Sequence, residues 1–247
     1  MDLLIGSLSL RPYVFLFLAA FLFAGIRDLG LRRTLLFGAI LWPLAWVAEF
    51  ASTRVGIPFG LYHYTGLTRG QELFIADVPF FDSLSFTFLA YAAFCLARLV
   101  LMRWGASRAA TAVVAGFLMM MLDVVIDPVA VRGERWFLGH IFYYPTGGPY
   151  FGVPLSNFAG WWIVGTLGVG LYGACAGKPS AGGRAGAGIA LYYAVLSFNL
   201  AVTAWIGEWR LLMVGGVLHA ALLVVLVALA RRAPEGSVLG TRRVQRA

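Results

Sequence analysis

Residues 122–162 read LDVVIDPVAVRGERWFLGHIFYYPTGGPYFGVPLSNFAGWW. The stretch begins with two acids, Asp123 and Asp127, at the end of one apolar run, and finishes with Trp161 and Trp162 inside the next. Between the runs lies a polar, aromatic, Gly- and Pro-rich connection of roughly 30 residues, far longer than ordinary loops. A connection of that length without helical periodicity is functional or disordered, and this one is too aromatic for disorder. It reads as the lid or floor of a site at a membrane surface.

The apolar runs on either side set the class. The 247-residue chain is 61% apolar and 12% charged, against about 25% charged in soluble domains. Seven runs, roughly 10–26, 34–51, 83–101, 108–126, 158–176, 187–205 and 211–230, are long enough to cross the hydrocarbon core as helices. None alternates as a barrel strand does. The expected fold is all-α, a polytopic bundle of about seven transmembrane helices. No basic region precedes the first run, so it reads as a span and not as a cleaved signal.

Thirteen of the 19 lysines and arginines fall in the connections after spans one, three and five and in the C-terminal tail. Positive charge collects on the cytoplasmic side, which places the N-terminus outside and the C-terminus in the cytoplasm of an inner membrane. Both long connections, near 52–82 and 127–157, then share the outer side. Residues 1–232 form the membrane domain and 233–247 a basic, disordered cytoplasmic tail. The net charge of +8 points to anionic lipid headgroups and not to nucleic acid. Cys95 and Cys175 sit inside spans and read as small buried residues, not as a disulfide.

Several side chains stand out against this background. In span two, Trp42, Trp46 and Glu49 share a helical face, and Pro43 should kink the helix. An ionisable group at that depth is a site candidate; otherwise Glu49 is wetted at the interface or pairs with Arg54. Downstream, Gly56, Pro58, Gly60 and Gly66 break any helix, and Tyr62, His63 and Tyr64 project from the irregular segment. Asp123 and Asp127 are four apart on one face, with Pro128 limiting the helix beyond. Two carboxyls that close can keep one proton between them, as an acid catalyst requires. The competing reading pairs Asp127 with Arg132 or Arg135.

Two helix starts look alike, DVPFFDSLSF and GVPLSNFAGW. Asp82 or Ser83, and Ser156 or Asn157, fit N-caps there, and the likeness hints at an internal duplication. Asn199 and His219, in spans six and seven, read mainly as polar glue between helices. With only His63, His140 and His219, in different segments, a histidine-rich di-iron site is excluded. No dinucleotide fingerprint, nucleophile elbow or Cys-metal pattern is present, and GKPSAGGRAGAG is not a P-loop. What remains suits acid–base chemistry without a cofactor on an apolar substrate, with aromatic faces able to stabilise a carbocation.

Taken together, AEFASTRVGIPFGLYHYTG, DVPFF, LDVVIDPVAV and YFGVPLSNFAGWW resemble the bacterial and archaeal carotenoid biosynthesis membrane proteins, among them the carotenoid 1,2-hydratases. The resemblance implies cofactor-free addition of water across the terminal C1–C2 double bond of an acyclic carotenoid end group. A carboxylic acid protonates C2, and water attacks the tertiary cation at C1. In this scheme Asp123 or Glu49 is the acid, with Asp127 tuning it or orienting water. Tyr62, Tyr64, Trp161 and Trp162 line the cation, and Asn157 holds water. Trp46, His63, Asp82 and Tyr144 complete the expected substrate contacts. The partners implied are a carotenoid or related isoprenoid, membrane lipid and other enzymes of the pathway. One departure is FFDSLSFTF, where such proteins commonly carry a Trp, and it leaves the substrate open. A non-catalytic carotenoid-binding or scaffold protein is the alternative. A lipid transporter fits less well, because the acids cluster towards one side.

Overall fold

The computed structural model describes residues 3–101, 104–176 and 184–231. The tail at 233–247 and the turn containing Lys178 lie outside them. Seven helices are long and apolar enough to cross a membrane. They are α2 (Pro12–Leu29), α3 (Leu31–Val55), α4 (Phe80–Leu101), α5 (Arg108–Ala130), α6 (Leu155–Cys175), α7 (Gly186–Trp205) and α8 (Trp209–Arg231). A short helix, α1 (Leu3–Leu10), precedes them. The chain is an all-α, polytopic integral membrane protein.

Local chemistry sets the helix ends. Pro12 opens α2, where its missing N–H is no loss. Ser107 caps α5 by accepting a hydrogen bond from the Ala110 amide at 3.1 Å. Gly56 ends α3 in the left-handed conformation, φ 74°. Helix α3 runs on through Pro43, and α5 continues past Pro128 to Ala130. The four helices bordering the long connections extend three or four residues further into them than their apolar runs (α3 to Val55, α4 from Phe80, α5 to Ala130, α6 from Leu155).

That extension corrects the expected caps. Pro154 occupies the N-cap of α6, and Pro79 immediately precedes α4. Asp82, Ser83, Ser156 and Asn157 therefore lie in first turns instead of capping them. Ser83 donates back to the Phe80 carbonyl at 3.0 Å. The side chains of Asp82 and Asn157 are left to face inward.

Helix α4 is the hub. It is apolar on every side and packs against α2, α3, α5 and α7, as an all-round apolar helix must. The closest seam joins α5 to α6. A Cβ on Gly116 would stand 2.5 Å from the Trp162 carbonyl oxygen, and one on Gly165 would stand 2.9 Å from Gly116 Cα. Small residues are what allow membrane helices to approach so closely. At the periphery α8 turns Met213, Val217 and Val224 outward, the composition lipid requires.

Both long connections leave the same end of the bundle and are tied to each other. Strand β1 (His63–Tyr64) pairs antiparallel with β4 (Phe142–Tyr143), in the register His63 to Tyr143 and Tyr64 to Phe142. Thr65 reinforces the join, its hydroxyl donating to the His140 carbonyl at 2.6 Å. Within the first connection β2 (Phe74–Ile75) and β3 (Val78–Pro79) form a small hairpin. At the opposite end of the bundle Arg98 is buried and donates to Asp28 at 2.7 Å. Arg98 is thus neutralised within the bundle and does not act as a flanking surface charge.

Candidate active site

Beneath the β1–β4 join lies a cavity of about 120 Å³. Its walls come from α2, α3, α4, α5, α6 and α7 and from both connections. Four groups of side chains define it: acids, one cation, phenols and stacked aromatics.

The acids come from three helices. Glu49, on α3, is 5% exposed and its Oε2 has no hydrogen-bond partner. Asp127, at the start of the last turn of α5, lines the cavity, and Asp123 lies one turn deeper and fully buried. A single amide joins this pair: Asn157 Nδ2 donates to Asp123 Oδ2 at 2.6 Å and to Asp127 Oδ2 at 2.8 Å. Both amide hydrogens of Asn157 are used in this way, so it has no donor left for a water. Asp123 Oδ1 is buried without a partner.

The ion pairs that competed with these roles go elsewhere. Arg54 binds Asp77 at 2.9 Å, and Arg132 and Arg135 both bind Glu208. Among the described residues no ion pair reaches Glu49, Asp123 or Asp127. Asp82 differs: it accepts from Arg11, whose guanidinium also forks onto Glu72. Arg11 and Glu72 were not expected in the site. Arg11 opens an apolar run and so resembles a flanking charge, and nothing in the loop sequence singles out Glu72.

Tyr62, Tyr64 and Tyr144 line the cavity beside Phe142. The Tyr62 ring lies 5.4 Å from Tyr64, 5.7 Å from Phe142 and 5.7 Å from Tyr144. Burial, and then the Glu49 carboxyl, push the Tyr62 and Tyr64 phenols well above the usual range. Burial and the Asp127–Asp123 pair do the same to Tyr144. These phenols therefore remain neutral hydrogen-bond donors at any physiological pH.

The paired helix starts meet here. Asp82 and Asn157 each lie four residues after the Val of a Val-Pro, and both line the cavity. Phe86 and Trp161 each lie eight residues after it, and their rings stack at 4.2 Å and 18°. Phe86 falls within the FFDSLSFTF departure, so that segment is part of the wall.

Four expected residues lie outside the cavity lining, and one of them, Asp123, meets it only through Asp127 and Asn157. Trp46 packs on Phe50, its Nε1 3.4 Å from the Ile75 carbonyl. His63 packs edge-on to Tyr143 in the surface join. Trp162 is 41% exposed and donates to the Val113 carbonyl at 3.0 Å. Period-four spacing places a residue on a face, and here adjacent faces differ in what they meet. Asn199 does line the cavity. His219 bonds the Met121 carbonyl at 2.8 Å, joining α8 to α5.

Residues 11–228, which include every element of this cavity, match the family described as carotenoid biosynthesis protein. The chain belongs to the carotenoid biosynthesis protein family. It is 33% identical over 174 residues to the bisanhydrobacterioruberin hydratase of Haloarcula japonica, an alignment covering 69% of this chain and 56% of that protein. The chain therefore spans little more than half the length of that relative. No solved structure matches it.

Proposed function

We propose that this carotenoid biosynthesis protein adds water across the terminal C1–C2 double bond of an acyclic carotenoid end group. The observation that carries the reading is a small aromatic cavity with several buried carboxyls and a single cation at its edge. An apolar cavity of about 150 Å³ holds a ligand the size of benzene. A cavity of about 120 Å³ therefore suits the tip of an isoprenoid chain and not its whole length. The relative's name, a hydratase, points to the same reaction class.

In the proposed sequence, a neutral carboxyl, either Glu49 or the Asp123–Asp127 pair acting through Asp127 on the cavity wall, gives its proton to C2. The π electrons form the new C–H bond and leave a tertiary cation at C1. Water attacks C1, and its surplus proton returns to the carboxylate, so the net change is one added water and the acid is regenerated. Tyr62, Tyr64, Tyr144 and the Phe86–Trp161 stack present π faces to the cation. Asn157 fixes the Asp pair and leaves water to the phenols. The cavity faces the outer side of an inner membrane in this reading, with the N-terminus outside.

Pigment mass spectrometry tests it in cells making acyclic carotenoids, with and without the chain. A pigment heavier by one water, lost in Glu49→Gln or Asp123→Asn, is the expected result. An unchanged pigment profile with carotenoid co-purifying would replace catalysis with binding.

A further inference from the structure

The ion cluster at the cavity edge contains more negative charge than its cation needs. Arg11 is 1% exposed and Glu72 1% exposed. Arg11 Nε and Nη2 reach Glu72 Oε2 and Oε1 at 2.6 and 3.0 Å. That two-pronged pair alone balances the charge of a buried guanidinium, which is always charged. Asp82 is nevertheless added on Nη1. With both carboxyls ionised, one positive and two negative groups leave the cluster one unit negative.

The surplus has a definite location. Glu72 is wholly enclosed, whereas the Asp82 side chain retains 19% exposure and lines the cavity. Asp82 also lies in the first turn of α4, where the helix dipole favours an anion. A buried, over-compensated cluster that presents its excess charge to a cavity is complementary to a cation.

Resting on the hydration reading above, we propose that Arg11 is a positioning residue. Backed by Glu72, it fixes Asp82 as a standing carboxylate on the cavity wall, and Asp82 is the counter-ion of the cationic end group. The cavity thus divides its acids by task. Glu49 and the Asp123–Asp127 pair, which have no ion-pair partner among the described residues, handle protons, and Asp82 stabilises charge. A preorganised carboxylate in a water-poor site acts where charge develops in the transition state.

The test uses the purified full chain in detergent and a dimethylammonium analogue of a short acyclic isoprenoid, with nitrogen in place of C1. Its neutral all-carbon isostere is the reference, and tryptophan quenching reads both affinities. Wild type binds the ammonium tighter than the isostere by about tenfold or more. Asp82→Asn abolishes the preference, Asp82→Glu keeps it, and Glu49→Gln leaves it in place. Glu72→Gln, which brings the cluster to neutrality with Asp82 present, lowers the preference and serves if Asp82→Asn does not accumulate in membranes. An undiminished preference in Asp82→Asn or in Glu72→Gln overturns the assignment. Pigment hydration by wild type is scored alongside. Its absence defeats the hydration reading, whereas hydration with no charge preference defeats only the role of Asp82.

Discussion

Glu49 and Asn157 are both buried polar residues of the cavity, yet substitution should affect them differently. Among the described residues Glu49 makes no ion pair and its Oε2 has no partner, so on the proposed reading Glu49→Gln removes the proton donor without breaking an ion pair. Hydration is expected to fall about 100-fold or more, with thermal stability in detergent unchanged within measurement. Asn157 bridges two buried carboxyls. Asn157→Ala removes one donor from each, and a loss of about 1–3 kcal/mol in unfolding free energy is expected, together with the loss of hydration. Tyr62 and Tyr64 give a pH signature. Their phenols ionise later in the folded chain than in the unfolded chain, which ionises near pH 10. Their contribution to stability is complete below that pH and is lost as pH rises above it. Tyr62→Phe and Tyr64→Phe should therefore shift alkaline unfolding, followed by circular dichroism, to higher pH.

Among the elements, the α5–α6 seam and the docking of α1 are the most sensitive to volume. Gly116→Leu forces a side chain into the Trp162 carbonyl and should destabilise the bundle by about 1–3 kcal/mol, read as a lower melting temperature in detergent. Helix α1 rests on the first connection: the Leu73 amide donates to Ser7 Oγ at 3.2 Å, and a Cβ on Gly6 would land on the Gln71 carbonyl oxygen. Gly6→Val should lift α1 away and loosen Arg11 from Glu72, measured as faster proteolysis of the first connection. The spans were readable in the sequence because hydropathy over about 20 residues is a strong signal. Strands of two residues are not, because alternation needs more positions to register. The Val-Pro likeness was visible, but its meaning depended on helices that start at the prolines, which puts Asp82 and Asn157 on inner faces instead of at caps. Arg11 and Glu72 were hidden for a different reason. They are 61 residues apart, and no local pattern predicts that a long connection will fold back onto the start of the first span.

For the whole molecule, the two helix–connection–helix units α3–α4 and α5–α6 show a common plan. Each carries acid at the end of its first helix and a polar residue then an aromatic along its second. Their connections pair antiparallel, Tyr62 falling opposite Tyr144 when the register is extended by one residue. That is the arrangement expected of two parallel repeats around an axis normal to the membrane. The cavity lies between them, so each unit supplies half of the machinery. Neither pair of helices should hydrate pigment by itself when expressed as a fragment.

The cavity also has one location and one size, at a single end of the bundle. A symmetrical polyene has two reactive tips, and one long enough to cross the bilayer core of about 30 Å holds them in opposite leaflets. On the proposed hydration reading the cavity serves only one leaflet, so after the first tip is hydrated the molecule must leave and turn over before the second can enter. Catalysis is then distributive: a singly hydrated pigment should accumulate early and pass to the doubly hydrated one only as substrate runs down, and the lag between the two would report how fast a carotenoid reverses itself in the membrane.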